Sequence, residues 1–322
     1  MLGAATFYAA NITMDFQSYL YSSGLIPAAP VNHGYKNFWI RDGYYIGLCV
    51  PELKNTIWQA VIRILDNYRW KLEIHAKQKP EKWFEHIHIR YDPNGNEITN
   101  EHWLHNQFDA HGNLIEICLD QKRIDLTTLL VDYLYKLDYS KEPAAGAWED
   151  RNSSDAYSLA SCIHALQRAK AYIPEKRDQI ERMVHKGCQR LYSRLLPYAT
   201  SEKTVCLSLL GIIWPFNLGG PYTEEIISLV KARLMREPFG FIRYDSDKYD
   251  GEGFTRTAGT EMPWLLGDCW MAKIEPYNKI WTDRINKAKA HFNCLPEAYA
   301  IDTMKPNRNT PLLWAEAMAY GL

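Results

Sequence analysis

Apolar residues recur every three to four positions in segment after segment of this 322-residue chain, and that period belongs to amphipathic helices. Helices are expected to start at about Phe7, Arg41, Leu53, Asn106, Arg123, Ser154, Glu175, Glu202, Thr223, Thr260, Pro276 and Thr310. Start signals agree in places. Asn152-Ser153-Ser154-Asp155 offers cap oxygens ahead of Tyr157, Leu159 and Cys162. Thr223 can cap another helix, with Glu224 and Glu225 as first-turn acids. About a dozen helices close naturally into six hairpins around an axis, an inner layer within an outer one, and the loops at one end then form a funnel. One segment breaks the helical period. Glu85-His86-Ile87-His88-Ile89-Arg90-Tyr91 alternates polar and apolar, Asp92-Pro93-Asn94-Gly95 turns, and Asn96-Glu97-Ile98 follows. This reads as a small β-hairpin inserted between helices. No internal repeat, low-complexity run or flexible linker divides the chain, so one domain over 1–322 is expected.

Composition narrows the function. The formal net charge of -1 supplies no field for nucleic acid or an acidic membrane surface. No apolar run is long enough to cross a bilayer, and Met1 to Asn11 has no basic start typical of a signal peptide. The 7 cysteines, scattered and without a CxxC pair, argue against a disulfide framework and for a reducing, cytoplasmic location. The aromatic load is heavy, with 11 Trp and 21 Tyr. Most are expected to fill the core, and some can form flat platforms for the apolar faces of sugar rings. His86 and His88 share a strand face upstream of His102 and His105, a pattern that fits exposed hairpin histidines better than a zinc site, so no metal is expected. Asp245, Asp247, Asp250 and Glu252 form an acidic loop whose Gly251 is misplaced for an EF-hand. That loop is read as solvated or sugar-facing.

Four separated stretches, in order, carry a resemblance. Ser23-Gly24-Leu25-Ile26-Pro27-Ala28-Ala29-Pro30 precedes Trp39-Ile40-Arg41-Asp42-Gly43. The turn at Asp92 to Gly95 leads to Gln107-Phe108-Asp109-Ala110-His111-Gly112. Trp148-Glu149-Asp150-Arg151 comes third. Gly240-Phe241-Ile242-Arg243-Tyr244 then leads to Leu295-Pro296-Glu297-Ala298 and Pro311-Leu312-Leu313-Trp314-Ala315-Glu316. Together they resemble the glucoamylase family, glycoside hydrolase family fifteen. The resemblance implies an all-α (α/α)6 toroid of the six-hairpin glycosidase kind, with its site in the funnel. Prokaryotic members often carry an N-terminal β-sandwich, which this chain is expected to lack. An apolar toroid face left uncovered makes a homodimer a further expectation.

The same resemblance implies the chemistry. Glycoside hydrolysis needs two carboxyl groups flanking the scissile bond. Glu149 aligns with the general acid and Glu297 with the general base of an inverting, exo-acting enzyme on α-glucosidic bonds. The acid needs a raised pKa, which burial beside Trp148 is expected to provide. Arg41 and Asp42 match the pair that grips the terminal sugar, Asp150 and Arg243 match further sugar contacts, and Trp39 and Trp148 are expected as stacking walls. Glu316 matches a structural position rather than the base. No cofactor is implied, and the expected partner is an oligosaccharide or small glucan. Leu295-Pro296-Glu297-Ala298-Tyr299 is also similar to an element of phosphorylase kinase regulatory subunits, which implies a non-catalytic glycan-binding or regulatory toroid as the alternative. A retained Glu297 points to hydrolysis by water rather than phosphorolysis.

Overall fold

The computed structural model describes residues 14–30, 34–150, 153, 155–201, 204–251 and 253–322. Its α-helices are α1 (Ile40–Cys49), α2 (Pro51–Asn67), α3 (Arg69–His75), α4 (Phe108–Asp120), α5 (Ile124–Leu137), α6 (Ala156–Ala169), α7 (Arg177–Arg190), α8 (Leu196–Ala199), α9 (Leu209–Ile213), α10 (Thr223–Leu234), α11 (Leu266–Ile274), α12 (Lys279–Phe292) and α13 (Leu313–Met318). The strands are two residues each: β1 (Phe38–Trp39) pairs antiparallel with β2 (Arg90–Tyr91), and β3 (Tyr299–Ala300) with β4 (Lys305–Pro306).

Packing sorts the helices into two layers. α1 packs on α4, α4 on α6, α6 on α9, α9 on α11, α11 on α13, and α13 back on α1, which closes a ring. Outside it, α2 covers α1, α5 covers α4, α7 covers α6, α10 covers α9 and α12 covers α11. Burial follows from this. Every residue of α4 from Phe108 to Leu119 is buried, as is all of α13, because an inner helix has neighbours on every side. Outer α7 buries only Ile180, Met183 and Gly187, a single stripe at helical spacing. Where α4 and α6 approach most closely, Gly112 faces Ser161. A Cβ there would stand 2.7 Å from the Ser161 carbonyl carbon, so no larger residue fits without separating the helices.

Several expected elements shift. The helix near Phe7 lies outside the described residues, as do Arg151, Asn152, Ser154, Glu202 and Glu252. α3, α8 and the π-helical turn Leu191–Leu195 join the pattern. No described helix starts near 202; Cys206 bridges to Tyr244, and α9 starts at Leu209. The helix expected from Thr260 begins at Leu266, because Trp264 is extended and pairs with Phe241 and Ala298. Asp155 does cap α6, accepting the Ser158 amide at 2.8 Å. Thr223 is not a cap: it is the first helical residue, and its hydroxyl donates back to Gly220. The β segment at 85–98 reduces to β2 and a turn at 92–96, with one bridge from Tyr91 to Glu97. β2 takes its main partner from β1, which comes straight before α1.

This architecture positions the site. The segments that lead into the inner helices carry the polar and aromatic side chains. Trp39 leads into α1, Trp103 and Gln107 into α4, 145–150 into α6, 243–264 into α11, and Glu297 to Leu312 into α13. The amino ends of the inner helices therefore surround one rim, where unpaired N–H groups and helix dipoles favour carboxylates.

Candidate active site

Arg41 and Asp42 sit in the first turn of α1, held by the bond from Ile40 N to Ile89 O at 3.0 Å. The Arg41 guanidinium is buried and held through both terminal nitrogens. Nη1 donates to Gln107 Oε1 and Asp109 Oδ2, both at 3.0 Å, and Nη2 to Glu149 Oε1 at 2.9 Å. Asp109 is wholly buried in the first turn of α4 and also accepts from Ser158 of α6. Arg41 thus ties three inner helices or their leading segments together. Its guanidinium lies 5.7 Å from the Trp314 ring centre on α13.

Glu149 has φ +59, a left-handed conformation uncommon for a side-chain-bearing residue. Such a kink is held in place by its surroundings and commonly marks a functional turn. Its other oxygen accepts the Trp103 indole N–H at 2.9 Å, so both carboxylate oxygens take N–H donors. Those partners are Arg41 and Trp103, whereas the indole N–H of Trp148 donates to Cys206 Sγ at 3.0 Å. Trp103 is itself fixed by the Arg90 guanidinium, 3.8 Å from its ring centre.

Glu297 is 1% exposed. Oε2 accepts from Asn307 and Asn309, each at 2.6 Å, and from the Tyr249 hydroxyl at 3.2 Å. Burial raises its pKa, opposed by bonds from Tyr35, Asn309 and Asn307 and by the charge of Arg243. Asp42 is pushed up to about 7: burial is the main cause, Arg41 opposes it, and the charges of Glu149 and Glu297 add to it.

Arg243 is buried and gripped by Asp247 through two bonds of 2.7 Å, with Asp150 at 3.3 Å. Asp150 also accepts from the Tyr244 hydroxyl. Of the two readings of the acidic loop, solvated or sugar-facing, the solvated one is corrected for Asp247, which is fully buried because it holds Arg243. Asp245, in contrast, is exposed beside Arg233.

Trp39, Arg41, Asp42, Trp148, Glu149, Arg243 and Glu297 all line one pocket of about 90 Å³. Asp150 lies instead on the adjoining cleft of about 590 Å³, which shares Ala147 and Trp148 with the pocket. Glu316 is buried away from both, accepting the Leu295 amide and facing Lys289. Sequence reasoning missed Tyr35, Trp103, Tyr249, Trp264 and Trp314 as pocket walls. Trp103 had a signal, four residues ahead of the Gln107 motif. Tyr249 had little, since it stands in the acidic loop.

The histidines are corrected too. His88 and His105 are buried, and their rings stack at 3.7 Å beside Trp83. Only β2 pairs here, so the chain folds inward and takes them with it. Among the described residues, no group of three or more His, Cys, Asp or Glu is placed to hold a metal ion. Among the same residues, no helix is long and apolar enough to cross a membrane.

A pocket with two differently held carboxyl groups, a directed guanidinium and aromatic walls suits acid–base chemistry on a sugar ring. The sequence profile of Glycosyl hydrolases family 15 matches residues 3–198. An uncharacterized glycosyl hydrolase of Methanocaldococcus jannaschii is 22% identical over 92% of this chain and 52% of its own. The chain thus spans about half the length of that curated relative. Among solved structures, a wild-type glycosidase superposes with TM-score 0.70 at 16% identity, covering 94% of this chain and 92% of its own. The glucoamylase from Saccharomycopsis fibuligera gives 0.65 at 14%, covering 93% and 88%. A bacterial glucoamylase complexed with acarbose gives 0.67 at 15%, covering 92% and 51%. At these identities the structures establish the fold, the (α/α)6 toroid.

Proposed function

The chain belongs to glycosyl hydrolases family 15, and from that premise we propose that it is an inverting, exo-acting hydrolase of α-glucosidic bonds, with Glu149 as general acid and Glu297 as general base. The observation that carries this reading is the pair itself: two carboxyl groups on the wall of one pocket, each held by a different donor set. In an inverting reaction one carboxyl protonates the leaving glycosidic oxygen, while the other takes a proton from the water that attacks the opposite face of the sugar. Glu149 stands beside Asp150 and the adjoining cleft, which suits the side from which the leaving group departs. Glu297 is buried among neutral donors, which suits a base that must stay ionised away from bulk water.

Arg41 supplies a charged donor and Asp42 a carboxyl group for the hydroxyls of a terminal sugar, and bonds to a charged group are the strong ones. Trp39, Trp148 and Trp314 offer apolar faces to the ring. A pocket of this kind takes one terminal ring at a time, as an exo-acting enzyme requires.

The test is glucose release and anomeric configuration followed by NMR on maltose, maltotriose, isomaltose and trehalose. β-Glucose should form first, and Glu149→Gln and Glu297→Gln should each lose activity while remaining folded. Folded wild type that releases nothing from the panel, or α-glucose as the first product, overturns the reading.

A further inference from the structure

We propose that Asn307 and Asn309 are positioning residues that clamp Oε2 of Glu297 and leave Oε1 as the oxygen that receives the proton from water. The inference rests on the reading of Glu297 as the base. Both carboxamide nitrogens reach Oε2 at 2.6 Å, whereas the Tyr249 hydroxyl stands 3.4 Å from Oε1, and the Tyr35 hydroxyl also bonds the carboxylate. A carboxylate oxygen that accepts several short N–H bonds has little capacity left for another proton.

The clamp is built into one hairpin. β3 follows Glu297 and β4 precedes Asn307, with Tyr299 opposite Pro306 and Ala300 opposite Lys305. Asn307 N donates to Ala298 O at 2.9 Å, and Glu297 N to Asn309 O at 3.4 Å. The carboxylate thus stands on one arm and its two donors on the other. The amide of Asn307 is oriented, because its Oδ1 accepts the Asn309 backbone N–H at 3.3 Å, leaving Nδ2 for Glu297. Gly251, at φ +96, packs against that side chain so closely that a Cβ would stand 2.6 Å from Nδ2, and its carbonyl accepts from Arg308 Nε at 3.2 Å. Neither asparagine lines the pocket. Their effect on substrate therefore passes through Glu297.

Two consequences separate this role from a merely structural one. Bonds to the charged form of a carboxyl hold its pKa down, so they offset part of what burial does to Glu297. Of the other groups that face it, Tyr35, Arg243 and Asp42 keep their places when the asparagines are substituted, whereas Asn309 Nδ2 also donates to the Tyr249 hydroxyl at 3.0 Å, so Asn307→Ala is the cleaner of the two variants.

The experiment is an NMR titration of Glu297 in carboxyl-13C-glutamate-labelled protein, for wild type, Asn307→Ala and Asn309→Ala. The Glu297→Gln spectrum assigns the signal. Each variant should raise the Glu297 pKa by roughly one to two units. The acid limb of kcat/KM should move to higher pH by the same amount, with kcat lowered and KM nearly unchanged. Asn307→Ser and Asn309→Ser, which keep a shorter donor, should recover part of the shift. If one alanine variant fails to fold, the other carries the test. A Glu297 titration unmoved in a folded variant, or a raised KM at constant kcat, overturns the clamp. The titration needs no turnover, so it also separates the two readings. A raised pKa in a protein whose Glu297→Gln variant still hydrolyses substrate would leave the clamp standing and remove the base.

Discussion

Replacing Gly112 by alanine sets two effects of opposite sign against each other. Gly112 is in the interior of α4, where helix propensity alone predicts that alanine stabilises by about 1 kcal/mol. The packing predicts the reverse. The new Cβ would stand 2.7 Å from the carbonyl carbon and 2.8 Å from the carbonyl oxygen of Ser161, against ordinary contacts of about 3.5–4.0 Å. α4 and α6 must separate by most of an ångström, and overpacking of this kind costs about 1–3 kcal/mol. The separation also stretches the 2.8 Å bond from Ser161 Oγ to Asp109 O, a further loss of about 0.5–1.5 kcal/mol. The net expectation is destabilisation by about 1–3 kcal/mol, read as a lower urea midpoint at constant m-value. Activity should fall too, because Asp109 lies one turn before Gly112 and orients Arg41. Adding Ser161→Gly should restore little, since the backbone atoms of residue 161 remain. A variant more stable than wild type, or full rescue by Ser161→Gly, refutes the close-approach argument.

Trp103→Phe keeps a ring over Arg90 but removes the indole donor to Glu149. A bond to a charged group is worth about 1.5–3 kcal/mol, so kcat should drop roughly 10- to 100-fold while the protein stays folded; an unchanged kcat would sink that role. Burial, aided by the charges of His88, Arg90 and Lys71, lowers the His105 pKa to about 2. The unfolded chain therefore binds a proton below about pH 6.5 that the folded one refuses, and stability falls with falling pH from there towards the folded value. His105→Gln should make the fall in unfolding free energy between pH 6 and 4.5 shallower by about 1.4 kcal/mol per pH unit, and parallel curves count against it.

The parts of this protein that were legible in the sequence are those whose meaning is local. The 3.6-residue period exposed the helices, and Trp39 to Asp42 and Trp148 to Asp150 are contiguous strings whose residue types fit their place on the pocket wall. Outer α7 shows its single apolar stripe in the sequence, but inner α4 does not announce its full burial, because Asp109, His111, Asn113 and Glu116 are polar and buried with the rest. What was not legible depends on chain segments meeting at a distance. Asp109 and Asp247 look like ordinary helix or loop acids until Arg41 and Arg243 are brought to them. Asn307 and Asn309 belong to a loop with turn-like composition, and only the hairpin pairing turns their amides onto Glu297. Residues 260–265 were read as helix because their apolar spacing is ambiguous, and the backbone partners of Trp264 settle them as extended. His86 and His88 alternate with apolar neighbours as an exposed strand would, but β2 gives its edge to β1, and His88 is buried together with His105.

The ring closes between α13 and α1, elements at opposite ends of the described chain. Leu312 and Trp314 complete a pocket wall that Trp39 and Arg41 begin. On the ribosome, where domains form as the chain emerges, nearly all of the helices can be made and the first ones packed while the site still lacks a side. A nascent chain that stops short of α13 therefore carries the earlier inner helices without a finished pocket, and competence for binding waits until α13 has been made.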